Sequence, residues 1–197
     1  MSPAFLTELA RARPDPGGGA VAAYGARVAL ALVAKVVHLE LQRPNRQAPE
    51  VRDWRDLLAQ VRDLTAAFAR LQQEDVQAYF QLTRARAEDN PGMRLAAVDE
   101  AVACPRRLMQ RAAAALGLVR RAGENCQTHL VADLLVACEF LGASLRGAHH
   151  IAGANLPLAP AAAAREALAA ELAQAWQTGE AIFRDTRAAL RLRQTWP

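Results

Sequence analysis

Lysine is nearly absent: Lys35 is the only one among 24 basic residues in a chain of 197. Aromatic residues make up 5% of the chain, and the three cysteines, Cys104, Cys126 and Cys138, form no CxxC pair. Each shortage excludes something. A nucleic-acid binder gathers positive charge on one face and interleaves it with aromatics. Here the arginines are spread along the chain among acids, so the net charge of +4 reads as a solvated surface and no nucleic-acid partner is expected. An odd number of cysteines in helical surroundings, with no basic-then-apolar leader pattern, points to reduced thiols and a cytoplasmic location. No HxxxH or Cys/His pair has ligand spacing, and His149 and His150 are adjacent and so point to different faces of a helix. No metal site is expected, nor is a Ser/His/Asp nucleophile elbow visible. The apolar stretch from Val28 to Leu39 is short and holds Lys35 and His38. A membrane span needs about 20 apolar residues, so no membrane partner is expected. Period-two runs of β-branched residues are missing as well, which argues against a sheet.

What the chain does have is alanine, the strongest helix former and the smallest packing side chain, within a 52% hydrophobic composition. That predicts an all-α bundle: a single domain over 1–197 with about five long helices and a short N-terminal one. The short helix covers residues 3–12. Asp15 can cap the second helix, with Pro16 at its first position and Gly17, Gly18 and Gly19 in the turn. This helix runs to about Gln42 and is apolar nearly all round, so it should be central. A polar loop spans 43–49 and a long helix 50–87. The latter carries the stripe Leu57, Val61, Leu64, Phe68, Leu71, Asp75, Ala78, Leu82. The alternating steps of 4 and 3 are those of a bundle seam, with Asp75 where a leucine is expected. A loop at 88–92 leads to a helix over 93–122 that contains Pro105. The next helix begins between Gly123 and Gln127 and ends near Ala154, and the last spans 161–193. No repeat or domain linker is present.

Three ionisable residues stand out. Asp133 is the only charge between Leu130 and Cys138. Apolar neighbours would desolvate it and raise its pKa, suiting acid/base work near neutral pH. A partly buried Asp bonded to another helix fits the pattern equally. His129 precedes it by four residues, on the same helical face. Asp75 is the second, either functional or paired with an arginine. Lys35 is the third, with His38 at i+3. A buried lysine needs a carboxylate or an anionic ligand, and Asp75 or Asp133 can be its partner; otherwise it snorkels to solvent. The Pro16-Gly17-Gly18-Gly19 turn has the free N–H groups of a weak anion site, or is simply a sharp turn. It lacks the Lys-Ser/Thr of a P-loop.

In their order these features resemble the methenyltetrahydrofolate cyclohydrolases and formiminotetrahydrofolate cyclodeaminases. The resemblance starts with Phe5-Leu6-x-x-Leu9 and Pro14-x-Pro16-Gly17-Gly18-Gly19, followed by the Ala-rich helix through Val33. Asp75-Val76-Gln77-Ala78-Tyr79 resembles the family's Asp-x-x-Ala-aromatic segment, and Pro105 its helix proline. The family's GNxNxxSD falls on 126–133, so its Asp maps onto Asp133. The second Asn of its NVxxNL maps onto Asn155. The resemblance implies an all-α bundle, a homodimer, and a reduced folate as substrate, with no tightly bound cofactor. It implies either hydrolysis of the 5,10-methenyl bridge to 10-formyltetrahydrofolate or loss of ammonia from the 5-formimino group. Asp133 would be the acid/base, assisted by His129 or Lys35. Pro16, Gly17, Gly18, Gly19, His38, Asp75 and Asn155 would line the ligand, and Arg43 or Arg46 would meet its glutamate carboxylate.

The departures are as informative. Of GNxNxxSD only Asp133 survives; Cys126, Gln127, His129 and Ala132 replace the Gly, both Asn and the Ser. The first Asn of NVxxN is Ile151. Two readings follow: a folate enzyme, or a catalytically inactive dimeric relative that binds a folate-like or other anionic ligand, or a protein partner.

Overall fold

The computed structural model describes residues 3–87, 91–159 and 161–194. Among these there is no strand. Six α-helices follow one another: α1 (Pro3–Leu9), α2 (Gly18–Leu41), α3 (Ala48–Ala87), α4 (Pro91–Asn125), α5 (Val131–Asn155) and α6 (Ala162–Arg193). Short 3₁₀ turns at Thr128–Leu130 and Leu156–Leu158 bracket α5. The predicted order of elements is therefore observed, with helix ends shifted by a few residues. Of the loop expected at 88–92, residues 88–90 lie outside the described residues and Pro91 already opens α4.

The seam of α3 is buried as its spacing predicts: Leu57, Val61, Phe68, Leu71, Ala78 and Leu82 all reach the core. α2 packs between α3 and α5, while α4 packs on α3, α5 and α6. α2 and α5 run antiparallel, because Gly18 meets Ile151, Ala22 meets Gly147 and Gly25 meets Ser144. Small residues let these two helices approach closely. On the other side of α5, a side chain at Gly142 would collide with the Phe183 ring of α6.

Two expectations change. First, α2 is not buried all round. Ala23, Ala26, Leu30, Val33 and Val37 face the core, but Val21, Ala31, Lys35 and Leu39 form an exposed face. By length and hydropathy alone, α2 and the stretch through α5 could cross a membrane. Half of each is buried against the rest of the bundle, which is how core helices also read. Second, Asp15 does not cap α2 and Pro16 is not its first residue. The helix begins at Gly18, with extended Gly17 at the N-cap and no side-chain cap bond.

Pro105 sits in the interior of α4. Lacking an N–H, it leaves the carbonyl of Ala101 without its usual helical donor. Asn155, at the end of α5, supplies the missing bond, its Nδ2 donating to the Ala101 oxygen at 2.9 Å. This contact ties the C-terminus of α5 to the proline turn of α4.

Candidate functional site

The N-terminal end of α2 opens on a cavity of about 180 Å³. Its walls come from the glycine turn, α3, α4 and α5 and include Asp15, Gly17, Gly18, Gly19, Asp75, Tyr79, Cys104 and Asn155. Four of the residues expected at a ligand from sequence therefore meet here with Asp75. Pro16 sits in the same turn but is not part of the wall. Asp15, Tyr79 and Cys104 were not anticipated in this role. For Tyr79 the signal was available, since it lies one turn after Asp75.

Asp75 is held against the start of α2, where its carboxylate accepts the Ala20 N–H. Gly19 makes this possible: a Cβ there would overlap the carboxylate of Asp75. Burial raises the pKa of Asp75 above its ordinary 3.8, and the Ala20 bond offsets only part of that rise. Among the described residues, the cavity wall holds no arginine partner of the kind that would explain a structural aspartate. Arg107 is bound by Glu74 (3.1 Å) and Glu100 instead. Burial, reinforced by the charge of Asp75, pushes the Cys104 thiol up to about 12, so it stays protonated at neutral pH.

The residues assigned to catalysis from sequence lie elsewhere. Lys35 and Asp133 are partners, Nζ to Oδ2 at 2.8 Å, as one of the two expected pairings has it. Neither is buried: their side chains are 56% and 33% exposed. Of the apolar neighbours of Asp133, Val131 and Leu134 are buried, but Ala132 and Val136 are exposed, and Asp133 lies on the outer side of α5 with Val136. His129 is exposed in the 3₁₀ turn before α5, so it does not share a helical face with Asp133. At a rise of about 1.5 Å per residue, Lys35 lies roughly 24 Å along α2 from Gly19. One small cavity does not contain both clusters.

Arg43 and Arg46 are not free for a ligand carboxylate either. Glu40 is fully buried and binds both guanidinium groups, Arg43 at 3.1 Å, and accepts the Gln127 N–H at 2.7 Å. Arg46 also donates to the Glu40 carbonyl and lies over the Trp54 ring at 5.2 Å. Burial opposes ionisation of Glu40, but the Gln127 bond and the two arginines outweigh it and hold its pKa below the ordinary 4.5. The sequence carried a signal for this cluster, an acid in an apolar helix with arginines three and six residues on. A hollow of about 390 Å³ beside Arg46 is lined by Glu50, Asp53 and Glu124 as well as Arg121, so it is no anion site. His38 is exposed and borders a groove between α2 and α3, far from the glycine turn.

The bundle is shared with solved proteins. It superposes on the crystal structure of formiminotetrahydrofolate cyclodeaminase from Thermotoga maritima with a TM-score of 0.86. The match covers 95% of this chain and 93% of that one at 19% identity. At that identity the likeness speaks to the fold. No curated protein matches the chain by sequence. Residues 2–174 match the sequence profile of the family described as formiminotransferase-cyclodeaminase. That match spans most of the 197 residues, and the chain belongs to the formiminotransferase-cyclodeaminase family.

Proposed function

We propose that this protein is an enzyme of folate one-carbon metabolism. It hydrolyses 5,10-methenyltetrahydrofolate or deaminates 5-formiminotetrahydrofolate, and the reacting end of the folate enters the cavity at Gly17–Gly19. The observation that carries this reading is the charge of the cavity wall. Among the described residues its ionisable carboxylates are Asp15 and Asp75, and neither Lys nor Arg lines it. Both candidate reaction centres are amidinium-type cations: the methenyl bridge between N5 and N10, and the protonated formimino group on N5. An acidic, partly desolvated wall stabilises such a cation and the charge changes around its carbon. Ligand pockets commonly measure about 300–1,000 Å³, so this one takes the one-carbon end and leaves the aminobenzoyl-glutamate outside. Family membership supports the same class of substrate.

The test is direct. Loss of methenyltetrahydrofolate absorbance and release of ammonia from 5-formiminotetrahydrofolate are followed with the purified chain. Rates equal to buffer for both substrates refute the reading. Tight folate binding by calorimetry without turnover supports the inactive-relative alternative. A second placement of the chemistry is favoured by the 2.8 Å Lys35–Asp133 pair. There Asp133 is the acid/base, with Lys35 or His129 assisting, and the folate lies along the exposed face of α2 and α5. The Asp133→Asn rate tests that placement.

The same face supports a homodimer. Val21 and Leu39 on α2, and Val136 and Phe140 on α5, are exposed. Val21 and Leu39 are about five turns apart and so lie on one side of the helix. A second copy would cover this apolar strip. The three buried, free thiols suit the reducing cytoplasm, where we place the enzyme.

A further inference from the structure

We propose that Ile151 is the specificity-determining residue of the cavity. Its side chain closes the space beyond the one-carbon centre and selects a folate whose carbon is bridged into a ring over one that carries a protruding group on N5. This rests on the folate reading above and names which of its two substrates the site prefers, 5,10-methenyltetrahydrofolate.

On the first turn of α2, two neighbouring glycines each face a side chain from another helix. A Cβ on Gly19 would overlap the Asp75 carboxylate of α3. A Cβ on Gly18 would stand 3.1 Å from Cδ1 of Ile151 and 3.8 Å from its Cγ1, on α5. Consecutive Cα atoms are about 3.8 Å apart. Carboxylate and hydrocarbon therefore hold adjacent stations on one turn, and both line the cavity. The overhang of Ile151 is stiff. A β-branched side chain in a helix is held to essentially one χ1 rotamer, and Ala148 and Ala152 beside it are fully buried, which fixes α5 at this point.

The cavity holds about 180 Å³, below the usual range of about 300–1,000 Å³ for a ligand pocket. Space at the glycine turn is therefore scarce, and the half-buried Ile151 takes part of it. Where the family motif has an asparagine, this chain has a hydrocarbon. One turn further along α5, Asn155 reaches the same wall, but its amide nitrogen is held by the Ala101 oxygen. Ile151 thus contributes shape and apolarity to the wall and no hydrogen-bonding group.

The two substrates differ at this point. In the methenyl form the carbon is held in a ring between N5 and N10 and bears only hydrogen on its outer side. In the formimino form the carbon ends in a further nitrogen that projects away from N5 and carries N–H donors. A fixed hydrocarbon wall accommodates the first. It crowds the second, and an N–H turned toward it is left without an acceptor. In a hydrophobic pocket, a difference of one methylene-sized group changes selectivity about 10–200-fold.

The experiment measures kcat/KM for both substrates in the full chain, in Ile151→Val and in Ile151→Ala. Ile151→Val removes only Cδ1, the atom nearest Gly18, and keeps the branch. The wild-type chain should prefer the methenyl substrate. The ratio of methenyl to formimino kcat/KM should fall about tenfold in Ile151→Val and further in Ile151→Ala, chiefly through a lower KM for the formimino substrate. Anaerobic calorimetry with tetrahydrofolate and 5-formyltetrahydrofolate reads the same discrimination without turnover. The wild-type chain should favour the unsubstituted probe, and both variants should narrow the gap. A ratio and a probe gap that stay unchanged in both variants overturn the proposal. So does a wild-type preference for the formimino substrate, or an equal loss on both substrates. Each of these leaves the folate reading standing. If the wild-type chain binds the probes without turnover, the probe gap decides; if Ile151→Ala does not fold, Ile151→Val decides. A wild-type chain that turns over neither substrate and binds neither probe overturns the folate reading and this inference with it.

Discussion

Replacing Asn155 by Ala removes the donor that satisfies the Ala101 carbonyl opposite Pro105. Ala101 is buried, so water does not readily take its place. A net hydrogen bond contributes about 0.5–1.5 kcal/mol, and stranding its buried partner costs about 1–3 kcal/mol. Asn155→Ala should therefore destabilise the fold by about 2 kcal/mol in the wild-type background. Pro105→Ala restores a backbone N–H one turn after Ala101, which can close the ordinary helical bond to the same carbonyl. In that background Asn155→Ala should cost less than about 1 kcal/mol, leaving a coupling of 1–2 kcal/mol. The assay is urea unfolding of the four proteins, monitored by far-ultraviolet circular dichroism. Distant, independent sites add to within about 0.5 kcal/mol. If Asn155→Ala costs the same with and without Pro105, to within that margin, the compensation argument is wrong. The reading would then shift Asn155 wholly to the cavity, where its effect should appear in ligand binding alone.

Three further outcomes follow from the same geometry. Glu40→Gln leaves Arg46, whose side chain is 10% exposed, without its buried counter-charge; breaking such a pair costs about 3–5 kcal/mol, read as a lower urea midpoint. Glu40 has a depressed folded pKa, so its contribution is present above the ordinary 4.5 and is lost as pH falls through the lower folded value. The wild-type protein should therefore lose stability on acidification in that window, and Glu40→Gln should show a flatter acid limb. Gly19→Ala places a methyl group in the carboxylate of Asp75; turnover should fall, and unchanged turnover contradicts a role for the packing of Asp75 against the glycine turn. Phe140→Glu puts a charge in the exposed α2/α5 face; by sedimentation it should convert a dimer to a monomer, and an unaltered dimer places the interface elsewhere.

Much of the architecture was legible because helix formation and seam burial are local properties of pattern. The steps of 4 and 3 from Leu57 to Leu82 predicted the buried side of α3, and the same seam marked Asp75 as the residue out of place. The glycine turn, Pro105 and Asn155 were each visible as well. Their meeting was not, because they lie on different helices and only the antiparallel packing of α2 on α5 brings 17–19 and 151–155 together. The burial expected of Asp133 was not found, for a related reason. Apolar neighbours in sequence imply burial only if the helix turns the residue inward, and α5 turns this one out to meet Lys35. Arg43 and Arg46 looked free because nothing in the local pattern shows that Glu40 is buried. Its burial depends on the fold of the 43–47 loop and on the Gln127 N–H from a distant turn.

The sequence by itself thus determined the class of fold, the order of its helices and the family, since each depends on periodicity, helix breakers and motif order along the chain. The tertiary structure alone decided which carboxylate is desolvated and which is paired at the surface. Desolvation depends on what packs above a side chain, and for Asp75 that is the backbone of Gly19 and Ala20, more than fifty residues away in sequence.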